Sequence, residues 1–334
     1  MEIILKGYFD NNFGDDYMIL TVVRSLPEYK FILTVKNEYT GFILREPNVF
    51  YKKKPERGLP VLMIVGNGFM INSRLALMYE IQWFLTRKHI ADYCVGCNIE
   101  RLDTRLKKFL IKTKLSKFRM IVCRDKKSFE WLNENLKKTK VYYLPDILFS
   151  SPLIPDSTLP APDKLGISLF HRSGDTADCE YYKKMAEAAD CYIEKTGKSV
   201  VLLAFDSGTE NDVFACESVK SLMRHGDKAS IVAHGQNGEI INAMRECEKV
   251  IGARFHSVVL SMKMGIDFFP IICRDKMRNL LEDAGYTKNG CGIDNLSDEE
   301  LKKFLDSEKT DPKTYCDPKS LSTEYIKLLK SQFE

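Results

Sequence analysis

The sequence predicts a two-domain α/β protein, each domain a parallel sheet wrapped by helices, the two sheets facing each other across a cleft. Three observations carry this. Short apolar runs alternate with helix-length amphipathic stretches through most of the 334 residues. Glycines punctuate several predicted helix ends, at Gly197, Gly226, Gly265 and Gly285. An aperiodic stretch, residues 150–164, holds Pro152, Pro155, Pro160 and Pro162 and separates two such alternating sets. The length suits two domains of ordinary size. The expected division is 1–150, then 164–310, then a terminal segment 311–334 whose helix "SLSTEYIKLLKSQF" packs back on the first domain.

In chain order, the first half predicts strands at 2–7, 30–35, 60–65, 91–95, 118–123 and 140–144, with helices at 15–25, 73–87, 101–112 and 125–137. The second half predicts strands at 165–170, 199–205, 229–233, 248–252 and 268–273. Helices are expected at 178–195, 211–224, 237–246, 255–264 and 275–284. Apolar residues make up 44% of the chain and charged residues 29%, enough for packed cores in a soluble protein. A net charge of +4 is too small to indicate a nucleic-acid binder. No apolar run reaches the roughly 18–20 residues of a membrane span, and "MEIILKGYF" does not read as a signal peptide. A cytoplasmic protein is expected. Ten scattered cysteines fit a reducing compartment. Cys94 and Cys97 have metal-ligand spacing with His89 nearby, but no second pair follows, so buried thiols are the preferred reading and no metal is expected.

Ligands of parallel sheets bind at the carboxyl ends of the strands, which directs attention to the strand-to-helix loops. The first, "GYFDNNFGDDYMIL" (7–20), stands where a dinucleotide-binding protein carries glycines for a pyrophosphate. Here Gly14 is followed by Asp15 and Asp16, and two carboxylates at a helix start repel phosphate. Later loops carry "GNGFMINSR" (66–74), His171 and Arg172, Arg254 and His256, and Arg274 and Lys276. The first domain thus offers amides and carboxylates, the second positive charge. In "VIGARFHSVVLSMKMG" (250–265), Arg254 and His256 fall on the first turn of a largely buried helix, beside free backbone N–H groups. That suits a compact anion; the alternative is an arginine paired with a neighbouring acid and a histidine satisfied in the core.

These segments, with "CRDKKSFEWL", "LPDILFS" and "GISLFHR", occur in the order and spacing of the polysaccharide pyruvyl transferase family, which the chain resembles from residue 3 to about 285. The arginine-x-histidine at 254–256 is the most specific piece, and the Asn-x-Gly-Asp of the opening loop is next. "RDKKS" and "LPD" are weak, since Ser128 and Asp146 serve equally to cap and turn the chain. The sequence departs from the family pattern at Asn67 in "GNG" and at His171 before the arginine of "FHR".

The resemblance implies a fold like that of the GT-B glycosyltransferases and transfer of the enolpyruvyl unit of phosphoenolpyruvate to a sugar, as a ketal, with release of phosphate. The expected acceptor is a precursor of a capsular polysaccharide, exopolysaccharide or cell-wall glycan, carried on a polyprenyl diphosphate. Carried over, Arg172, Arg254 and His256 line the donor site, joined by Arg274 and Lys276 at the same sheet edge. His256, the one side chain among them that ordinarily titrates near neutrality, is the candidate general acid. The acidic first loop then reads as an acceptor loop, with Asn12, Asp15 and Asn67 hydrogen-bonding sugar hydroxyls and Asp15 taking a proton. Plain helix capping by Asp15 is the alternative. No cofactor is expected beyond the co-substrate.

Residues 101–119, "RLDTRLKKFLIKTKLSKFR", carry eight Lys or Arg and one Asp among leucines and phenylalanines. They are a candidate for peripheral contact with the cytoplasmic face of the inner membrane, or simply a solvated helix packed on its sheet. Two other functions share the predicted fold: a sugar-nucleotide glycosyltransferase, which calls for carboxylates in the second domain's late loops to hold a ribose, and a non-catalytic anion or sugar binder, which has no use for His256.

Overall fold

The computed structural model describes the chain except Asn67, Gly68, Asn72, Arg87, Lys88, Arg101, Asp178, Asn237, Gly238, residues 287–289 and residues 309–317; for 318–322 it describes the backbone alone. The first sheet comprises β1 (Glu2–Lys6), β2 (Lys30–Leu33), β3 (Val49–Tyr51), β4 (Val61–Ile64), β5 (Tyr93–Cys97), β6 (Met120–Cys123) and β7 (Lys140–Tyr143). Its order is β3-β2-β1-β4-β5-β6-β7 and its pairings are parallel. Around it lie α1 (Phe13–Ser25), α2 (Arg74–Thr86), α3 (Arg105–Leu115) and α4 (Lys126–Asn135). Because parallel strands are covered on both faces, they read as apolar runs; "MIVC" of β6 is buried at every position.

The second sheet comprises β8 (Lys164–Ser168), β9 (Ser199–Ala204), β10 (Ala229–Ala233), β11 (Cys247–Gly252), β12 (Asp267–Ile272) and β13 (Cys291–Gly292). They are ordered β10-β9-β8-β11-β12-β13, again in parallel. Its helices are α5 (Glu180–Thr196), α6 (Asp212–Leu222), α7 (Ile240–Arg245), α8 (Phe255–Met264), α9 (Asp275–Asp283) and α10 (Asp298–Asp306). Both sheets reverse strand order beside their first strand, between β1 and β4 and between β8 and β11. Such reversals open the crevice where α/β folds bind ligands.

The chain forms two compact units: residues 1–9, 15–151 and 318–334, and residues 10–14 and 152–317. This departs from a division at the linker in one respect, since 10–14 group with the second sheet. The reason is local. Phe13 donates its N–H to the Phe205 carbonyl at 2.8 Å, and its ring packs edge-on against Phe205. Gly208 is required where the loop passes, because a Cβ there would lie 1.9 Å from the Asp10 carbonyl oxygen.

Helix α11 (Pro318–Phe333) belongs to the first unit. The hydroxyl of buried Tyr325 donates to the carbonyls of Leu144 and Pro145, at 3.2 and 2.5 Å, and the Phe333 ring meets Tyr29 and Tyr93 edge-on. Tyr325→Ala empties a filled site and is expected to cost about 3–5 kcal/mol. Tyr325→Phe, losing only the hydrogen bonds, should cost about 1–3 kcal/mol; denaturant midpoints of the two variants check this ordering.

Cys94, Cys97 and Cys123 lie buried in the first sheet, with Cys97 opposite Cys123 in register, while His89 pairs with Asp92 at 3.4 Å. Among the described residues no group of three or more histidine, cysteine or acidic side chains could hold a metal ion, and no helix is long and apolar enough to cross a membrane.

Candidate active site

In the second unit the charged residues gather at the carboxyl edge of the sheet. Phe170, His171 and Arg172 follow β8, Arg254 and His256 follow β11, and Arg274 and Lys276 follow β12. The segment after β9, "FDSGTEND" (205–212), adds three carboxylates that sequence reading passed over: Asp206, Glu210 and Asp212. Arg254 stands at the N-cap of α8 and lays its guanidinium on the Asp212 carboxylate with two hydrogen bonds, Nε to Oδ2 at 2.6 Å and Nη2 to Oδ1. Its Nη1 donates to Glu210, whose other oxygen accepts from Arg274 Nη2 at 2.8 Å. The Phe170 ring is a shared platform, 4.5 Å from the Arg254 guanidinium carbon and 5.6 Å from that of Arg274. Lys276 stands over Phe255 at 5.5 Å. Arg172, more exposed, bonds Asp175 and Asp294.

The expectation of an edge carrying cations alone is therefore corrected. Arg254 is held in a carboxylate cradle, as the alternative reading of that residue had it, and the edge is a mixed ionic lattice with Arg254 at its centre. Burial pushes the Asp212 carboxyl up from 3.8 to about 6, against the pull of Arg254. Burial also raises Asp206, opposed by the Asn12 amide and Arg254. Burial raises Glu210 as well, but Arg254, Arg274 and Lys276 outweigh it and hold that carboxyl below its usual range. For Asp212 the folded value exceeds the unfolded one. Its contribution to stability is then complete below about pH 4 and is lost as pH rises through about 6. Asp212→Asn should flatten that part of the stability profile, read as denaturation midpoints between those two pH values.

His256 lies in the first turn of α8, only 6% exposed, with its ring edge-on to Phe255 at 5.1 Å. Its imidazole packs directly on Gly14. A Cβ built on Gly14 would sit 1.7 Å from Nδ1. The glycine of the opening loop is thus the space the histidine occupies. Asn12 donates to Asp206 Oδ2 at 2.9 Å and accepts from the Gly14 N–H at 3.1 Å. It was expected among the acceptor contacts of the first domain. It lies instead in the second unit and fixes the loop that carries Gly14.

In the first unit, a pocket of about 550 Å³ opens at the carboxyl ends of β1, β2 and β4, where that sheet reverses order. Its lining includes Tyr8, Phe9, Val35, Met63, Phe69 and Asp15. Asp15 is 5% exposed, and its Oδ1 accepts from the Gly66 N–H at 2.8 Å. The Gly66 carbonyl accepts from Arg124 Nη2, and Arg124 Nη1 donates to Asp146 at 3.0 Å, a pair that is almost wholly buried. Arg124 and Asp146, from the weak segments "RDKKS" and "LPD", therefore hold the floor under Asp15. Asp125 caps α4, its carboxylate accepting from the Ser128 N–H and hydroxyl, while the Ser128 hydroxyl accepts from the Ile99 N–H rather than capping the helix; Asp146 caps the turn after β7. Asn67 lies outside the described residues.

Two parallel sheets, each with its order reversal and with the candidate site residues at its carboxyl edge, define a two-domain α/β protein of the GT-B-like class. Solved structures agree on the fold. The UDP-GlcNAc 2-epimerase from Methanocaldococcus jannaschii is 12% identical, with 99% of each chain covered and a TM-score of 0.62. Alr3699/HepE of Anabaena, solved in complex with UDP, is 11% identical with 99% of each chain covered and a TM-score of 0.58. A UDP-N-acetylglucosamine 2-epimerase from Rickettsia bellii is 11% identical, covering 99% of this chain and 95% of its own, with a TM-score of 0.58. No curated protein matches the chain. The polysaccharide pyruvyl transferase family model matches residues 12–275, and the chain belongs to that family. It is a pyruvyltransferase of polysaccharide biosynthesis, and its acceptor is a glycan.

Proposed function

We propose that the donor is phosphoenolpyruvate, bound at the charged edge of the second unit, and that the product is a pyruvate ketal across two hydroxyls of a lipid-linked glycan precursor. The observation that carries this is the gathering of Arg172, Arg254, Arg274 and Lys276 past the carboxyl ends of β8, β11 and β12, the first two of which flank the order reversal of the second sheet. A small donor with a phosphate and a carboxylate calls for several cations and fixed N–H groups. The acceptor belongs to the pocket of the first unit, where aromatic residues suit the apolar face of a sugar ring and Asp15 suits its hydroxyls.

The chemistry follows from these roles. His256 gives a proton to the methylene carbon of the donor, and C2 gains oxocarbenium character. A glycan hydroxyl bonds to C2 as Asp15 takes its proton. The second hydroxyl then replaces phosphate at C2: its oxygen bonds to C2, its proton returns to His256, and the C–O bond to phosphate breaks with its electron pair leaving on phosphate, where Arg172 and Arg254 stabilise that charge. Asp212 and Glu210 keep Arg254 and Arg274 in place before the donor arrives. Glu210 also repels the incoming dianion. Glu210→Gln is therefore expected to tighten phosphoenolpyruvate binding about three- to tenfold, the scale of one partly screened charge, measured by calorimetry. Weaker binding would instead make Glu210 only a positioning residue.

A sugar-nucleotide transferase is the second reading, because Glu210 and Asp212 are carboxylates in second-unit loops. Both are committed to arginines, which favours the anionic donor. The test is incubation with phosphoenolpyruvate and a set of lipid-linked oligosaccharides. The expected outcome is phosphate release matched by a pyruvate-ketal mass gain on one acceptor. Phosphate release with no mass gain on any glycan would overturn ketal transfer.

A further inference from the structure

Helix α2 has an unusual exposure. Its sequence "RLALMYEIQWFLT" is mostly apolar, yet none of its residues is buried, and Met78 and Leu85 are 65% and 75% exposed. Helix α3 lies beside it. The Phe84 and Phe109 rings meet at 5.5 Å, and Lys114 reaches Glu80 at 2.5 Å while standing 5.8 Å over Trp83. Burial of Leu110, Ile111 and Leu115 fixes the inner face of α3, and Leu106 and Phe109 remain outside with Arg105, Lys108 and Lys112. Of the thirteen large apolar residues exposed among the described residues, seven stand on these two helices. Apolar surface of this kind marks an interaction site.

Charge decides the partner. Helix α3 holds five Lys or Arg and no acid, and Glu80, the acid of α2, is already paired with Lys114. A second copy docking by the same face would set these cations against each other. A layer of anionic headgroups over acyl chains matches both the cations and the apolar side chains. We propose that the joint face of α2 and α3 docks on an anionic lipid bilayer, with Met78, Leu85 and Phe109 entering the headgroup boundary and Arg105, Lys108 and Lys112 meeting the lipid phosphates. The inference stands apart from the donor assignment, because it concerns only where the first unit rests.

The test is sedimentation of the full chain with vesicles of phosphatidylcholine alone and of phosphatidylcholine with one-third phosphatidylglycerol. Binding to the anionic vesicles should be at least about tenfold stronger, since each basic residue near such a surface adds roughly 1 kcal/mol, and it should fall with added salt. Lys108→Glu with Lys112→Glu, and separately Met78→Ser with Leu85→Ser, should each lower it by about tenfold or more. These positions are exposed, so thermal midpoints should hardly move, and activity on a water-soluble acceptor should persist. Equal binding to both vesicle types, or no effect of either pair, overturns the proposal. So does a dimer in equilibrium sedimentation that Phe109→Ser dissolves, because the face would then belong to a second copy.

Discussion

His256→Ala is expected to lower turnover by about 10² or more, the scale of a positioned general acid, with a much smaller change in donor affinity. Arg254 and the first-turn N–H groups of α8 remain, so most of the attraction for the donor survives. His256→Gln donates a hydrogen bond but no proton at neutral pH, and should be nearly as poor. The fold supplies a second route to the same loss. Gly14→Ala puts a methyl 1.7 Å from Nδ1, far inside any permitted contact, and the ring is enclosed and cannot swing clear cheaply. Gly14→Ala should therefore match His256→Ala in turnover and lose about 1–3 kcal/mol of stability besides. A Gln variant retaining most activity would show that His256 binds rather than donates.

Arg254→Ala carries the largest expected structural effect. Asp212 is wholly buried, and truncating its bidentate partner leaves that carboxylate with only the His171 and Asp206 backbone N–H groups and no counter-charge of its own, at a cost of about 3–5 kcal/mol. Activity should vanish as well, but on this variant alone a lost site and a lost fold look the same. The pair Arg254→Met with Asp212→Asn separates them. The asparagine leaves no buried charge and keeps an acceptor for the His171 and Asp206 backbone N–H groups that Asp212 holds, so denaturation midpoints should partly recover while phosphoenolpyruvate binding stays lost. Recovery of binding with stability would remove Arg254 from the donor site.

Much of the fold was legible in the sequence because parallel strands covered on both faces announce themselves as apolar runs. The misses have physical causes. β3 is three residues long at a sheet edge, with Phe50 and Tyr51 exposed, so it shows no buried run. β13 is two residues long and held by pairing to β12. Helix α10 did carry a signal, Ser297 capping the Glu300 N–H ahead of buried Leu301 and Phe304, and it went unread.

The site was legible as residue types and illegible as partners. Arg254 and His256 stand out by their place at a helix start. Asp212, 42 residues earlier, meets Arg254 only through the pairing of β8 with β9 and β11. A loop with three carboxylates directly after β9 was the available clue. Asn12 shows the opposite case. Its chemistry suits a sugar, but the backbone bond of Phe13 to Phe205 carries it to the second sheet, where Asp206 takes its amide. Arg124 was unreadable for a third reason, since nothing in "CRDKKS" says that its guanidinium reaches the Gly66 carbonyl and Asp146.

The most direct measurement of the central claim is calorimetric titration of the intact protein with phosphoenolpyruvate and, separately, with UDP-glucose and UDP-N-acetylglucosamine. Phosphoenolpyruvate is predicted to bind one site per chain. Its affinity should fall by about ten- to hundredfold in Arg172→Ala, the scale of a lost charge-assisted hydrogen bond, and the UDP-sugars should give no heat of binding. Saturable binding of a UDP-sugar, with phosphoenolpyruvate silent, would contradict the account.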